Sequence, residues 1–112
     1  MIREADLDAI FTALADPTRR AIIARLKTGE ASVLELAEPF KISQPAVTKH
    51  LNVLERAGLI VRTRQAQWRR VRIDPAPLRD VAGWVAEYRR LWEERADALG
   101  SYLHTLQKEE KP

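Results

Sequence analysis

The chain has 112 residues, 46% hydrophobic and 31% charged, with no cysteine and a formal net charge of +3, which fits one ordinary domain with a modest core. That composition excludes disulfides, thiolate metal sites and thiol redox sensing, and no apolar run approaches the roughly 18 residues of a membrane span. The N-terminus, MIREADLDAI, carries acids where a secretion signal would be apolar, so a cytoplasmic protein is expected.

Leu7, Ile10, Phe11 and Leu14 have helical spacing and predict a first helix over residues 5–15 with one apolar edge. Asp16 is a natural N-cap and Pro17 fits the first helical position, so a second helix runs to about Lys27, burying Ala21, Ile22 and Leu26 and stopping at Gly29. Arg19 and Arg20 fall in its first turn, where the helix dipole disfavours cations, and their simplest role is pairing with nearby acids. Ser32 and Glu35 form a capping box for a short third helix carrying Val33, Leu34, Leu36 and Ala37, which Pro39 stops. Phe40 and Ile42 then bracket a connection that can only turn the chain sharply.

Residues 42–58, ISQPAVTKHLNVLERAG, predict a helix with two different faces. Ser43 caps it and Pro45 lies in the tolerant first turn, while Gly58 ends it in a left-handed conformation. Val47, Leu51 and Leu54 form a core stripe, and Pro45, Lys49, Asn52 and Arg56 lie opposite, with Gln44 and Thr48 toward one flank. The third and fourth helices together make a helix-turn-helix, whose second member ordinarily enters the DNA major groove. Charge agrees: residues 41–72 hold eight lysines and arginines against Glu55 alone, net +7, whereas residues 1–40 (five against seven) and 73–112 (six against eight) are each net −2. Such a segregated basic segment is the footprint of a surface that meets phosphates.

After Gly58 the period changes, and residues 59–64 and 68–74 read as a β-hairpin whose tip lies near Gln65, Ala66 and Gln67. The tip lacks Asn-Gly or Asp-Gly, so a loop looser than a tight two-residue turn is expected. A basic hairpin behind a helix-turn-helix is a wing, which would bring Arg62, Arg64, Gln65, Gln67 and Arg69 to the DNA backbone or minor groove. Asp74 and Pro75 open a long last helix, residues 75–106, in which Leu78, Val81, Val85, Tyr88, Trp92, Leu99, Tyr102 and Leu106 form a seam of alternating three and four spacings interrupted only by Arg95. Its apolar surface exceeds what four small helices can cover and calls for a homodimer, with Leu7, Phe11, Val85, Tyr88, Trp92, Leu99, Tyr102 and Leu106 at the interface. The final KEEKP reads as a frayed tail. The expected architecture is mainly α with a small β-hairpin: a single winged helix-turn-helix domain, residues 1–112, of five helices, the last for dimerisation.

The stretches FTALADPTRRAIIARL and ELAEPFKISQPAVTKHLNVLERAGLI, the arginine-rich wing and WVAEYRRLWEERADALGSYL together resemble the ArsR family of winged-helix repressors over residues 7–106. The last helix is similar to a branch of that family without cysteine metal sites. The resemblance implies a dimer that binds a twofold-symmetric operator and blocks transcription, with Gln44, Pro45, Thr48 and Lys49 at the positions that contact DNA. Two departures stand out: Lys41 occupies a turn position usually held by glycine, which implies a strained or differently wound backbone, and Ala66 and Gln67 replace a Gly-Arg wing tip.

Read residue by residue, Gln44, Thr48, Lys49 and Asn52 suit base edges, and Ser43, His50 and the wing arginines suit phosphates of double-stranded DNA, His50 at the edge of the core face suiting a packed or cap-bonding role equally well. No metal site is expected, because His50 and His104 are the only histidines and His104 has no second histidine at helical spacing. Trp84 and Trp92 suit core or dimer packing better than an apolar ligand pocket, and neither a cofactor nor an effector is indicated. The alternative function is a winged-helix protein-interaction module without DNA binding, which the net +7 segment disfavours. An enzyme is not expected, since no nucleophile with a base, phosphate-binding glycine loop or convincing carboxylate pair can be assembled.

Overall fold

The computed structural model describes residues 2–65 and 67–110. Its elements run α1 (Glu4–Leu14), α2 (Pro17–Leu26), β1 (Ala31–Ser32), α3 (Val33–Ala37), a 3-10 turn (Glu38–Phe40), α4 (Gln44–Arg56), β2 (Ile60–Gln65), β3 (Trp68–Ile73), α5 (Ala76–Ala86) and α6 (Arg89–Glu110). The helix starts are set by side chains that accept from otherwise orphan backbone donors. Asp16 Oδ2 accepts from Arg19 N–H at 2.9 Å, Ser43 Oγ from Ala46 N–H at 3.3 Å, and Ser32 and Glu35 complete their reciprocal box at 3.1 and 3.4 Å.

Up to Val81 the chain forms one compact unit. Its core joins Ile10 and Ala13 of α1, Ile22, Ile23 and Leu26 of α2, Leu36 of α3, Val47, Leu51 and Leu54 of α4, and Leu59, Ile60 and Val71 around the sheet. The sheet has the antiparallel order β1-β3-β2, with Ala31 opposite Val71 and Ile60 opposite Ile73. The two-residue strand β1 is too short to carry a period, yet the wholly buried Ala31 ties the start of α3 to the wing. Two buried-face expectations shift: Ala21 is exposed and Ile23 buried, because α2 packs on α1, α4 and β3 together, and Leu34 is 62% exposed because the single turn of α3 directs Leu36 and Ala37 inward instead.

The hairpin differs from the looser expectation. Pairing continues to Gln65 opposite Trp68, leaving two residues between the strands. Register here follows from placing Ile60, Val71 and Ile73 against the core, which requires no Asn-Gly signal. The side chain of Gln65, and Ala66 itself, lie outside the described residues.

The expected helix over 75–106 is two helices, making six α-helices among the described residues rather than five. Leu78 and Val81 are the last side chains packed on the core. Past them the hydrogen bonds tighten to three-residue spacing, with Glu87 N–H donating to Trp84 O at 3.2 Å and Tyr88 N–H to Val85 O at 2.9 Å, and the helix breaks at Glu87–Tyr88. From Ala82 the chain forms a second unit with no core of its own: through Lys108 every side chain is exposed except the half-buried Trp84. Leu91, Leu99 and Tyr102 are 57, 58 and 61% exposed. The helix reaches Glu110, so Lys108 to Glu110 are not a frayed tail. No described helix is long and apolar enough to cross a membrane.

The turn into α4 is wound through Lys41, whose φ of +53° and ψ of +32° are left-handed. A β-carbon in that conformation costs about 1–2 kcal/mol, part of which a glycine returns as unfolded-chain entropy. Lys41→Gly is therefore expected to stabilise the protein by about 0.5–1 kcal/mol, raising the thermal midpoint by about 2–5 °C. A calorimetric scan in which Lys41→Gly melts below the parent protein contradicts this account of the turn.

Candidate nucleic-acid interface

Three wholly buried residues, Val47, Leu51 and Leu54, pin one face of α4 to the core. The opposite face presents Gln44, Pro45 and Lys49 to solvent, with Thr48 half-buried at its flank. Thr48 turns toward the wing. It lines a cleft of about 310 Å³ with Val33, Arg62, Thr63, Arg64 and Arg69, and a second cleft of about 310 Å³ with Ser32, Val33, Leu34, Gln44, Gln67 and Arg69. The shared residues Val33, Thr48 and Arg69 make these one groove between α4 and the hairpin. One bank is the helical pair Gln44 and Thr48, and the other is Arg64, Gln67 and Arg69.

The structure divides the wing arginines into two groups. Arg62 Nε and Nη2 donate to the Glu55 carboxylate at 3.0 and 2.9 Å, and Nη2 also donates to Asn52 Oδ1 at 2.6 Å. The Arg62 hydrogen bonds hold the Glu55 carboxyl below the usual carboxylate range and raise the guanidinium's own pKa. Arg70 Nε donates to Glu30 at 3.0 Å and Arg70 also lies 3.9 Å from Glu35. Glu35 is held low as well, first by its bonds to Ser32. Arg64 and Arg69, by contrast, have no carboxylate partner among the described residues, and they stand directly opposite each other on the inner face that Arg62 and Val71 also occupy. Opposed like charges weaken a strand pair, so this end of the hairpin is electrostatically incomplete without an anion.

These contacts sort the site residues expected from sequence. Gln44, Pro45, Thr48, Lys49, Arg64, Gln67 and Arg69 converge on the outer face of α4 and the groove. Arg62 bonds both Asn52 Oδ1 and the Glu55 carboxylate, which makes it a brace between β2 and α4 and engages the Asn52 carbonyl within the fold. The signal was present in the sequence: Glu55 is the one acid in the basic segment, so one cation had to be its partner. Ser43 is spent on its cap, although it remains exposed. His50 is half-buried beside Arg19, whose Nη1 lies 3.3 Å from its Nδ1, so that ring nitrogen is engaged within the fold. Leu7 is 5% exposed within the chain, so of the two α1 residues expected at a dimer interface only Phe11, 40% exposed, presents a surface. Among the described residues no group of three or more His, Asp or Glu side chains could hold a metal ion.

Comparison with known proteins gives a consistent neighbourhood. A helix-turn-helix domain family matches residues 14–63. The chain is 34% identical to the transcriptional repressor SdpR of Bacillus subtilis over 82 residues, spanning 73% of this chain and 91% of that one. It is 41% identical to the HTH-type transcriptional regulator Rv2034 of Mycobacterium tuberculosis over 103 residues, 91% of this chain and 90% of the relative. Among solved structures, the ArsR family transcriptional regulator RHA00566 superposes with a TM-score of 0.76 at 43% identity, covering 82% and 95% of the two chains. The homodimeric winged helix-turn-helix domain of Mb0332 from Mycobacterium bovis superposes at 0.62 and 25% identity, covering 76% and 82%.

The depressed carboxylates set the acid limb of stability. Glu35 and Glu55 titrate below their ordinary 4.5 in the folded chain, so their contribution is complete above that pH and is lost as pH falls through the lower folded values. The thermal midpoint is expected to hold between about pH 7 and 5 and to drop below about 4.5, and Glu55→Gln should flatten part of that drop. A Glu55→Gln deficit that persists unchanged at about pH 3 contradicts the assignment.

Proposed function

The chain belongs to the ArsR family of winged helix-turn-helix DNA-binding transcriptional regulators, and from that premise we propose that it is a homodimeric repressor acting in the cytoplasm on an inverted-repeat operator. Gln44, Thr48 and Lys49 read base edges in the major groove, Pro45 packs beside them, and Arg64 and Arg69 take the sugar-phosphate backbone that runs between α4 and the wing. The observation that carries this assignment is the groove itself, in which the helical pair Gln44 and Thr48 faces two arginines lacking a carboxylate partner among the described residues. The protein-interaction reading has no comparable use for those two cations.

The dimer reading is supported by the apolar stripe Val85, Tyr88, Trp92, Leu99, Tyr102 and Leu106, 36–61% exposed, which is costly to leave in water. A relative of the same fold is a homodimer, and repression is the role named for SdpR. Two copies of α4 related by a twofold axis would engage half-sites roughly 34 Å apart, or a multiple of that distance, which is why the operator should be an inverted repeat.

Lys49→Ala is expected to weaken binding to the operator by about 1–3 kcal/mol and to blunt discrimination against random DNA. Replacing both Arg64 and Arg69 with alanine should weaken all duplexes alike and flatten the salt slope by about 2. Fluorescence anisotropy on the DNA upstream of the gene and on a scrambled duplex, each at two salt concentrations, separates these effects; equal losses on both duplexes for Lys49→Ala refute base reading by that residue. Leu99→Glu with Tyr102→Glu should give a monomer by light scattering and lower operator affinity about a hundredfold by loss of avidity. A double variant that remains a dimer overturns the proposed interface.

A further inference from the structure

Arg19 stands in the first turn of α2, where the helix dipole opposes it, and it does not line the groove. Its half-buried guanidinium reaches back to the end of α1, where Nε donates to Ala13 O at 2.7 Å and Nη2 to Thr12 O at 3.0 Å. Both carbonyls lie in the last turn of α1, where acceptors lack a full set of helical donors, although Thr12 O also accepts from Ala15 N–H at 3.2 Å. The remaining nitrogen, Nη1, lies 3.3 Å from His50 Nδ1. A guanidinium has donors only, so Nδ1 is the nitrogen that would accept in this contact. Asp16 Oδ2 is 3.9 Å from the same Nδ1, beyond hydrogen-bond range, and is already engaged by Arg19 N–H.

One planar fork thus links the C-terminus of α1, the start of α2 and the middle of α4. His50 sits between Lys49, which faces solvent, and Leu51, which is wholly buried. We infer that Arg19 and His50 are positioning residues that fix the rotation of α4 about its buried stripe, and so hold Lys49, Thr48 and Gln44 at the angle from which they discriminate operator from other DNA. The inference rests on α4 being the element that reads bases. Without the fork, apolar packing still holds the helix in place, but hydrophobic contact is non-directional and leaves its rotation less tightly defined.

The test measures the ratio of affinities for the footprinted segment of the gene's own upstream DNA and for a scrambled duplex, alongside the thermal midpoint. His50→Ala removes the acceptor, His50→Asn restores one near the Nδ1 position, and Arg19→Lys keeps the charge but cannot span both helices. The ratio is expected to fall about tenfold for His50→Ala and Arg19→Lys and to recover in His50→Asn, with the salt slope unchanged. A ratio that stays at the parent value in folded His50→Ala and Arg19→Lys overturns the inference. Equal losses on both duplexes with a flatter salt slope in His50→Ala and His50→Asn overturn it in favour of a direct phosphate contact. Should His50→Ala not fold, Arg19→Lys and His50→Asn carry the same comparison. Lys49→Ala run in parallel keeps the premise separate: if it too leaves the ratio intact, base reading by α4 fails, and if it abolishes the ratio while His50→Ala does not, only the positioning role fails.

Discussion

Everything this protein offers to a nucleic acid is aligned by one packed stripe, Val47, Leu51 and Leu54 on the inner side of α4. A helix of 13 residues that buries one face this completely can present only the complementary arc. The stripe also faces elements that are themselves fixed, since α4 packs on α1, α2, α3 and β2. The capped turn at Ser43 and the left-handed residue Lys41 then decide where the helix begins. A backbone conformation unfavourable for lysine persists because the packed helices on either side determine it, which is the usual condition for strain to survive in a fold.

Against that frame, charge is sorted rather than merely accumulated. The basic segment has more cations than a phosphate surface uses, and three acids from different elements remove the surplus: Glu55 takes Arg62, while Glu30 and Glu35 take Arg70. Each of these exposed pairs contributes little to stability by itself. Their effect is placement, because a neutralised arginine braces the wing against α4 or the start of α3, while Arg64 and Arg69 are left to line the groove. Counting charge along the chain locates the basic segment, whereas only the pairing shows which of its arginines lack a carboxylate partner among the described residues.

Legibility in the sequence followed the range of the interaction. Asp16, Ser32 with Glu35, and Ser43 act on donors three residues away, and all three caps stand where local spacing placed them. The core stripe of α4 and the alternation of Val71 and Ile73 were readable for the same reason, since one period suffices. Interactions that span the chain were not. Arg19 reaches six residues back and 31 forward, β1 is defined by its partner strand, and Asn52 looks like a base reader until Arg62 arrives from ten residues away. The burial of Ile23 in place of Ala21 belongs with them, because a helix touched on three sides has no single wheel face to read.

The break at Glu87–Tyr88 follows from the same distinction. A three-and-four repeat of apolar residues runs from Leu78 to Leu106, interrupted only by Arg95, and local reading makes it one helix. The repeat nevertheless serves two packing partners. Leu78 and Val81 belong to the core of the first unit, whereas Tyr88, Trp92, Leu99 and Tyr102 remain exposed in the second. Beyond that packing, hydrogen bonds of three-residue spacing at Glu87 and Tyr88 end α5, and α6 begins at Arg89. The pattern of apolar residues therefore records what each segment must bury, and the backbone between them records that it is not buried against the same thing. In the proposed dimer a second copy of the chain would supply the missing surface for α6 while the packing that orients α4 stays within the first unit, so dimerisation and base reading would be separable by mutation.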